Sequence, residues 1–181
     1  FPGLVSAEAA ALRLARGLGL GDLDPQLHQI EGVDCLIVAR YDRLRAADGT
    51  IGRVHQEDSC QALGVMPDAH RGRGKYESSG GPTFAQIASL LRRYSADPGD
   101  ELDRLVRMIA FTMIIGNADG HGKNLSLLYP APGMPTLAPL YDTVPTVLWP
   151  RLRTTAAMSV AGETEFIRIG LDAITREAEG W

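Results

Sequence analysis

The sequence Gly116-Asn117-Ala118-Asp119-Gly120-His121-Gly122-Lys123-Asn124 is a polar nonamer between two apolar stretches. Met113-Ile114-Ile115 precedes it, and Leu125-Ser126-Leu127-Leu128 follows it. A loop whose two ends are buried holds its polar side chains in fixed directions, which is how a rigid scaffold presents functional groups. We therefore interpret the nonamer as a functional loop held between two buried elements.

Within the nonamer, Asp119 and Asn124 have the D-x-x-x-x-N spacing that is typical of kinase catalytic loops. In such loops the aspartate accepts the proton of the acceptor hydroxyl, and the asparagine binds Mg²⁺. A second carboxylate, Asp142, follows a second apolar run, where these enzymes place another metal ligand. Lys123 is a candidate for neutralising the transferred phosphoryl group, with a solvated loop residue as the alternative. His121 is a candidate for ordering the loop by hydrogen bonding.

Other motifs fit the nonamer less well. A P-loop has four residues between its first glycine and its Gly-Lys pair, whereas five residues separate Gly116 from Gly122. An EF-hand that began at Asn117 would place Leu128 where the bidentate glutamate belongs. The remaining alternative is a polar turn whose carboxylate and amide side chains cap a helix or form side-chain turns.

The composition is that of an ordinary globular protein. The 181 residues are 45% hydrophobic and 22% charged, which is enough for one domain with a real core. A net charge of −4 argues against a surface that binds nucleic acid generally. Two cysteines are too few for a disulfide framework, so we expect a cytoplasmic protein. No apolar run approaches the roughly 18 residues of a membrane span, and no membrane association is expected.

Apolar spacing predicts four helices along the chain. They run from the N-cap Ser6 to Gly17, from the capping box of Thr83 and Gln86 onward, from about residue 100 into the nonamer, and over 163–179. The last helix is expected to pack four apolar side chains against the core, namely Phe166, Ile167, Leu171 and Ile174.

Strand signals are fewer than helix signals. They predict a buried strand that runs into a connection over 35–41, a hairpin that turns at Asp48-Gly49, and a second hairpin over 125–129 and 136–140 around the loop 130–135. The second hairpin would carry Asn124 at its entrance and Asp142 at its exit. Both side chains would then emerge at the same end of a two-stranded unit, close enough to share cations.

The segment from Arg53 to Pro82 has no clear period. Within it, Arg71-Gly72-Arg73-Gly74-Lys75 is basic and spaced by glycines, which fits either a phosphate-cradling loop or a solvated mobile loop. It lacks the third glycine of a dinucleotide fingerprint. His55 is either a site residue or a hydrogen-bonded structural histidine.

In joint order and spacing, several segments resemble the HipA-like serine/threonine kinases, the toxin halves of bacterial HipA–HipB toxin–antitoxin pairs. The matching segments are 7–20, 36–43, 55–58, 60–64, 75–77, 80–82, 115–124 and 138–142. The resemblance implies an α+β, mainly helical fold that corresponds to the carboxy-terminal part of such a kinase. Residues 1–54 would be a remnant of the small lobe with a helix, a strand and the hinge. Residues 55–181 would be the helical large lobe with the catalytic and metal-binding loops.

The resemblance also implies roles for individual residues. Asp119 would be the catalytic base, and Asn124 and Asp142 would be the magnesium ligands. The adenine of ATP would lie at the hinge Ala39-Arg40-Tyr41, where Ala39 replaces a frequent glutamate. Glu8 would pair with a nucleotide-binding lysine that lies upstream in the family. The residue alone favours a simpler interpretation of Glu8, a surface acid in the first turn of a helix.

Taken as a whole, the resemblance implies ATP- and Mg²⁺-dependent phosphorylation of a serine or threonine in a protein substrate. It implies a HipB-like antitoxin as partner, and contact with nucleic acid only through that antitoxin. The amino-terminal lobe would come from a missing segment or a second chain, so this fragment would be an incomplete kinase.

Two further interpretations stay open. A small-molecule kinase of the aminoglycoside or choline type shares the D-x-H-x-x-N core, but usually has histidine where Asn117 stands. The second is a catalytically silent binding module, which would bind no nucleotide.

Overall fold

The computed structural model describes residues 1–131 and 133–181 of the chain. Within these residues the α-helices are α1 Leu4–Gly17, α2 Ser59–Ala62, α3 Ala69–Gly72, α4 Phe84–Tyr94, α5 Pro98–Ile114 and α6 Leu171–Glu179. The strands are β1 Gln26–Ile30, β2 Val33–Ile37, β3 Arg43–Arg45, β4 Ile51–Arg53, β5 His55–Asp58, β6 Ser126–Ala131, β7 Met134–Leu137, β8 Thr155–Val160 and β9 Glu163–Glu165. Short 3-10 helices occupy Glu77–Ser79, Thr146–Leu148 and Phe166–Arg168.

The strands form small antiparallel sheets, and one of them positions the nonamer. β6 lies in the middle of a three-stranded sheet, with β5 on one side and β7 on the other. Leu127 of β6 stands opposite Glu57 of β5 and opposite Leu137 of β7. The nonamer leads directly into β6, so this pairing ties its carboxyl end to a segment from much earlier in the chain.

Helix α5 delivers the chain to the nonamer. The carboxylate of Asp97 accepts a hydrogen bond from the backbone N–H of Asp100, and Pro98 occupies the first turn, where its missing N–H costs nothing. The buried side of the helix is apolar and consists mainly of Leu105, Met108, Ile109, Phe111 and Met113. The helix ends before Gly116, whose φ of 69° is left-handed. A Cβ at Gly116 would lie 2.4 Å from a methyl group of Val147, so glycine is required on steric grounds as well.

A single hydrophobic core joins α4, α5, α6, the β6–β7 hairpin and β8. Its most deeply buried members include Ile87, Leu91, Leu105, Ile109, Leu127, Leu137, Met158 and Val160. The core lies behind the nonamer, because the helix before the nonamer and the strand after it both contribute side chains to it.

Several predicted elements are present in the structure. Thr83 and Gln86 form the predicted capping box at the start of α4. The turn at Asp48-Gly49 joins β3 to β4, and Gly49 has a φ of 86°. The β6–β7 hairpin is also present, although Pro132 of its predicted loop lies outside the described residues.

Two expectations near the amino terminus are wrong. Helix α1 begins at Leu4 with Gly3 as its N-cap, so Ser6 lies inside the helix. The strand predicted within 35–41 is β2, which ends at Ile37 where the chain enters the predicted connection, but it is not buried. α1 packs against the β1–β2 sheet, and Val33 stays 64% exposed. The apolar run predicted the strand correctly, but a helix covers this two-stranded sheet on one side only.

The predicted helix over 163–179 is wrong in its first half. There the chain forms β9 and a 3-10 helix, and α6 starts only at Leu171. The cause is the strand β8, which the sequence did not reveal and which pairs with β9. Ile167 and Leu171 are 95% and 78% exposed, so they are not core residues. Phe166 and Ile174 do pack against the core.

Helices contain 38% of the residues and strands 22%, so the structure is α+β, with a larger strand content than a mainly helical lobe would have. In the described part of the chain, none of the helices has both the length and the apolar character needed to span a bilayer. The division into units at residue 54 stays a prediction.

Leu105→Ala should lower the free energy of unfolding by about 2–5 kcal/mol, because Leu105 is 0% exposed and its removal leaves a cavity. The matched control is Leu171→Ala, which should change it by less than about 0.5 kcal/mol because Leu171 is mostly exposed. Urea denaturation measures both values. Equal effects of the two substitutions would contradict the assignment of Leu105 to the core and Leu171 to the surface.

Candidate active site

Two cavities share the lining residues Glu8 and Asp142, and the larger of the two opens beside the nonamer. The larger has a volume of about 370 Å³, and Asp119 and Asp142 both line it. The smaller has a volume of about 250 Å³ and is lined by the predicted hinge Ala39-Arg40-Tyr41. Glu8 and Asp142 line both cavities. The structure therefore brings the predicted base, one predicted metal ligand, Glu8 and the hinge to one continuous region.

The backbone of Asp119 is held by three neighbouring hydrogen bonds. The side-chain oxygen of Asn117 accepts a hydrogen bond from the Asp119 N–H at 3.1 Å. The carbonyl of Asp119 accepts hydrogen bonds from the Asn124 side-chain amide at 2.9 Å and from the His121 N–H at 2.8 Å. Asn117 and Asn124 are both buried, so these polar groups satisfy one another where water does not reach. The loop conformation is fixed by its own amide side chains.

A buried threonine anchors the start of the nonamer. The hydroxyl of Thr146 accepts a hydrogen bond from the backbone N–H of Ala118 at 2.6 Å and donates one to the carbonyl of Gly116 at 3.2 Å. Thr146 is 8% exposed and lies in the segment that follows Asp142. The two loops that carry the candidate chemistry are thus joined by a side chain that sequence reasoning did not identify.

A chain of hydrogen bonds joins the other end of the nonamer to the same segment. Gln56 donates to the hydroxyl of Ser126, which contacts the hydroxyl of Tyr141, and Tyr141 donates to the carbonyl of Lys123 at 2.6 Å. Burial raises the pKa of Tyr141, so it stays protonated and can donate this bond. Tyr141 immediately precedes Asp142, so this chain fixes the position of Asp142 relative to the nonamer.

The carboxylate of Asp119 faces the larger cavity and is 52% exposed. Its Oδ1 accepts a hydrogen bond of 2.7 Å from the hydroxyl of Tyr76. The Nε2 atom of His121 lies 3.8 Å from the same oxygen, which is too far for a hydrogen bond. Burial lowers the pKa of His121, so the ring is neutral at neutral pH. Within the described residues its buried Nδ1 has no hydrogen-bond partner.

Asn124 and Asp142 offer the oxygen donors that Mg²⁺ prefers. The Asn124 amide nitrogen is bound to the loop backbone, which leaves its side-chain oxygen as the end able to bind a cation. Asp142 is exposed and has a φ of 50°, in the left-handed region that aspartate adopts more readily than most residues other than glycine. Among the described residues no three His, Cys, Asp or Glu side chains are arranged as a metal cage. An amide and a carboxylate are ligands that suit Mg²⁺, which keeps waters and binds substrate phosphates. Asn124, however, lines neither of the two cavities but a third, smaller one, so the structure does not bring its side chain to the space that Asp142 lines.

Glu8 is not the surface acid of a first helical turn, because α1 begins four residues earlier at Leu4. Its side chain lines both cavities, and burial raises its pKa, with a further contribution from the negative charge of Asp142. A cation beside Glu8 would offset the negative charge of Asp142 and favour the ionised form of Glu8.

An ion pair joins Arg40 of the predicted hinge to Asp42. Asp42 is 2% exposed and accepts two hydrogen bonds from the guanidinium of Arg40, at 2.8 and 2.6 Å, and one from Arg43. These hydrogen bonds lower the pKa of Asp42 from 3.8 to about 2. The guanidinium of Arg40 is therefore paired with Asp42. The next residue, Tyr41, lies at the wall of the smaller cavity, and its ring centroid is 6.0 Å from that of Tyr141.

Lys123 does not line either cavity. Its ammonium lies 2.9 Å from the carboxylate of Asp58, and this hydrogen bond raises the pKa of Lys123. Asp58 also caps α2 through a capping box with Gln61. Lys123 therefore attaches the nonamer to the start of α2. The signal that could have identified Asp58 was its place in the segment 55–58, which matched the family.

The other candidates from 53–82 fall in two groups. His55 is exposed and lies 3.6 Å from Glu57, outside both cavities. The basic stretch is also exposed at Arg71 and Arg73, but its last residue contacts the nonamer, because the carbonyl of Lys75 accepts a hydrogen bond from Gly122 at 3.1 Å. Tyr76, the residue that follows, was not assigned a role from the sequence.

The chain matches one family model over nearly its whole length. The model described as HipA-like C-terminal domain covers residues 1–179. This chain belongs to that family. The chain spans 40% of the length of Y4mE of Sinorhizobium fredii and 38% of that of HipA of Shewanella oneidensis. Both relatives are therefore more than twice as long as this chain.

These two relatives are named as kinases. Y4mE, whose name describes it as a candidate kinase, is 42% identical over 181 residues, which is 100% of this chain. The Shewanella oneidensis protein named serine/threonine-protein kinase toxin HipA is 31% identical over 168 residues, or 88% of this chain.

Solved structures show the same relationship in three dimensions. HipA in the Shewanella oneidensis complex of HipA, HipB and operator DNA matches with a TM-score of 0.86 and 26% identity, over 99% of this HipA-like chain and 43% of that chain. The Helicobacter pylori proinflammatory kinase CtkA matches with a TM-score of 0.58 over 82% of this chain and 47% of its own. At 15% identity the second match supports the fold alone, which is kinase-like.

Asp42→Asn should destabilise the HipA-like chain, and the effect should depend on pH. The pKa of Asp42 is lowered, so its contribution is complete above the unfolded value of 3.8 and is lost as the pH falls through about 2. Urea denaturation from about pH 6 to about pH 3 should therefore show a destabilisation that shrinks below about pH 4. The exposed Asp172→Asn is the matched control. A destabilisation that is the same across this range would contradict the hinge ion pair.

Proposed function

We propose that this chain is the carboxy-terminal part of a HipA-type kinase that phosphorylates a serine or threonine of a protein substrate with Mg-ATP. The observation that carries the proposal is the shared cavity of Asp119 and Asp142, which adjoins the hinge cavity through Glu8 and Asp142. Phosphoryl transfer requires a base and a metal ligand that face one space, next to a second space for the nucleotide. The second cavity, which the predicted hinge lines, would take that part.

Each cavity has its own part in this proposal. The peptide groups of Ala39-Arg40-Tyr41 would bind the adenine in the smaller cavity. The side-chain oxygen of Asn124 and the carboxylate of Asp142 would hold Mg²⁺, which neutralises the phosphate charge when it is bound. Glu8 would orient a nucleotide-binding lysine supplied by the part of the kinase outside this chain.

Asp119 would be the general base of the reaction. Its carboxylate would accept the proton of the acceptor hydroxyl as the acceptor oxygen forms its bond to the γ-phosphorus and the bond to ADP breaks. His121 is neutral and near Asp119 but not hydrogen-bonded to it, so we propose a packing role for it in the loop. Lys123 would act indirectly, by attaching the nonamer to Asp58.

We also propose that the whole kinase is a cytoplasmic toxin that pairs with a HipB-like antitoxin. The support is the structural match to a HipA chain solved with HipB and operator DNA. A net charge of −4 fits a protein that reaches nucleic acid only through such a partner.

Asp119→Asn should lower the turnover of the complete kinase by roughly 10²–10⁴, the usual contribution of a positioned base. The measurement is transfer of radiolabelled phosphate from Mg-ATP to protein. The matched control is Asp172→Asn, an exposed carboxylate on α6 outside both cavities, which should keep wild-type turnover. Full activity of Asp119→Asn would remove Asp119 from the role of base.

The 181-residue chain by itself should fold and yet transfer no phosphate, because the lysine that Glu8 would orient lies outside it. A misplacement of the nucleotide by about 1 Å already costs on the order of a hundredfold in rate. Adding the upstream lobe, in the same chain or as a second one, should restore transfer in the radiolabel assay. Rapid turnover by the 181 residues alone would show that the site is complete without that lobe.

A further inference from the structure

The hydroxyl of Tyr76 approaches the candidate base more closely than any other group in the described residues. It donates a hydrogen bond of 2.7 Å to Oδ1 of Asp119. The backbone N–H of Asp119 donates to Asn117, and its carbonyl accepts from Asn124 and His121, so these three hydrogen bonds leave the side chain free to rotate. Within 1–131 and 133–181, the orientation of this carboxylate thus depends on Tyr76.

Tyr76 is itself held firmly from several directions. Its ring meets the ring of His121 edge-on, with the centroids 5.1 Å apart. The ammonium of Lys75 and the guanidinium of Arg153 lie 5.3 and 5.4 Å from its centroid, at distances where a cation is attracted to an aromatic face.

The backbone on either side of Tyr76 is also fixed. The carbonyl of Lys75 accepts the hydrogen bond from Gly122 of the nonamer. Glu77 accepts two hydrogen bonds from Ser159 of β8, at 2.6 and 2.7 Å. A Cβ on Gly122 would come within 2.5 Å of Pro82, so the segment around Tyr76 and the nonamer are in direct contact. The hydroxyl of Tyr76 is therefore delivered to Asp119 by a rigid support.

We propose that Tyr76 is a positioning residue that holds Oδ1 of Asp119 so that Oδ2 faces the acceptor hydroxyl. This inference rests on the proposed function, because it assumes that Asp119 is the base. A half-exposed carboxylate can turn about its side-chain bonds, and a general base must lie within hydrogen-bond reach of the proton that it accepts. One fixed oxygen leaves the other oxygen in a defined place.

The chemistry of the tyrosine hydroxyl suits this task. Burial, together with the hydrogen bond to Asp119, raises the pKa of Tyr76 to about 12. The group therefore stays a neutral donor at physiological pH and does not compete with Asp119 as a base.

The test is Tyr76→Phe in the complete kinase, which keeps the ring and removes the hydroxyl. We expect kcat for protein phosphorylation to fall about 10- to 100-fold, while KM for Mg-ATP keeps its wild-type value. The matched control is Tyr129→Phe, which also removes a hydroxyl bound to a carboxylate, Glu57 at 2.6 Å, but outside both cavities. It should keep the wild-type kcat.

A second measurement detects the contact without relying on catalysis. In the kinase labelled with ¹³C at tyrosine Cζ, the Tyr76 resonance should shift in Asp119→Asn and keep its position in Asp172→Asn. Thermal melting of each variant shows whether a loss of kcat reflects a loss of folded protein.

The outcomes separate this inference from the proposed function. If Tyr76→Phe and Tyr129→Phe have the same kcat, the positioning role of Tyr76 is wrong, although the kinase assignment stands. A higher kcat/KM for the acceptor in Tyr76→Phe would also overturn it, because Tyr76 would then compete with the acceptor for Asp119. If Asp119→Asn transfers phosphate as fast as wild type, the assignment of the base fails, and the inference fails with it even if the Tyr76 resonance shifts.

Discussion

The rest of the site depends on the hydrogen bonds that hold the backbone of Asp119. Asn117 and Asn124 are buried, and each uses its side chain to satisfy a peptide group of the loop between them. An unsatisfied peptide group at such a place would cost about 1–3 kcal/mol, so the loop has a strong preference for this conformation. Because the backbone is satisfied internally, the Asp119 carboxylate is not needed for structure and can face the cavity.

The charged side chains that line the larger cavity are mainly negative. Three carboxylates, those of Glu8, Asp119 and Asp142, line the larger cavity. The nearby cations Arg40 and Lys123 are already paired, with Asp42 and Asp58 respectively. The guanidinium of Arg153 also lines the larger cavity, beside the ring of Tyr76. One guanidinium does not balance three carboxylates and a phosphate-rich ligand, so Mg²⁺ and a lysine from outside this chain would supply further positive charge in the proposed kinase.

The family relationship accounts for the presence of the nonamer and Asp142 together in a chain of 181 residues. The HipA-like relatives are more than twice as long, and this chain matches the part that carries the nonamer and Asp142. The strands of the β1–β2 and β3–β4 sheets are mostly exposed. The core behind the nonamer is formed by residues of this chain, and the helix before the nonamer and the strand after it are both anchored in that core.

The sequence by itself determined what short-range interactions encode. Capping groups and apolar spacing located α4 and α5. The spacing from Asp119 to Asn124 predicted a functional loop, and the structure places Asp119 at the larger cavity. The sequence did not reveal β8. This strand pairs with β9, which lies in the first half of the predicted last helix, and Ile167 is exposed there. Only the tertiary structure decided which side chains meet across long separations, as Tyr76 meets Asp119 and Asp58 meets Lys123. The physical reason is that local spacing sets the backbone of an element, whereas burial and pairing between distant segments decide where its side chains point.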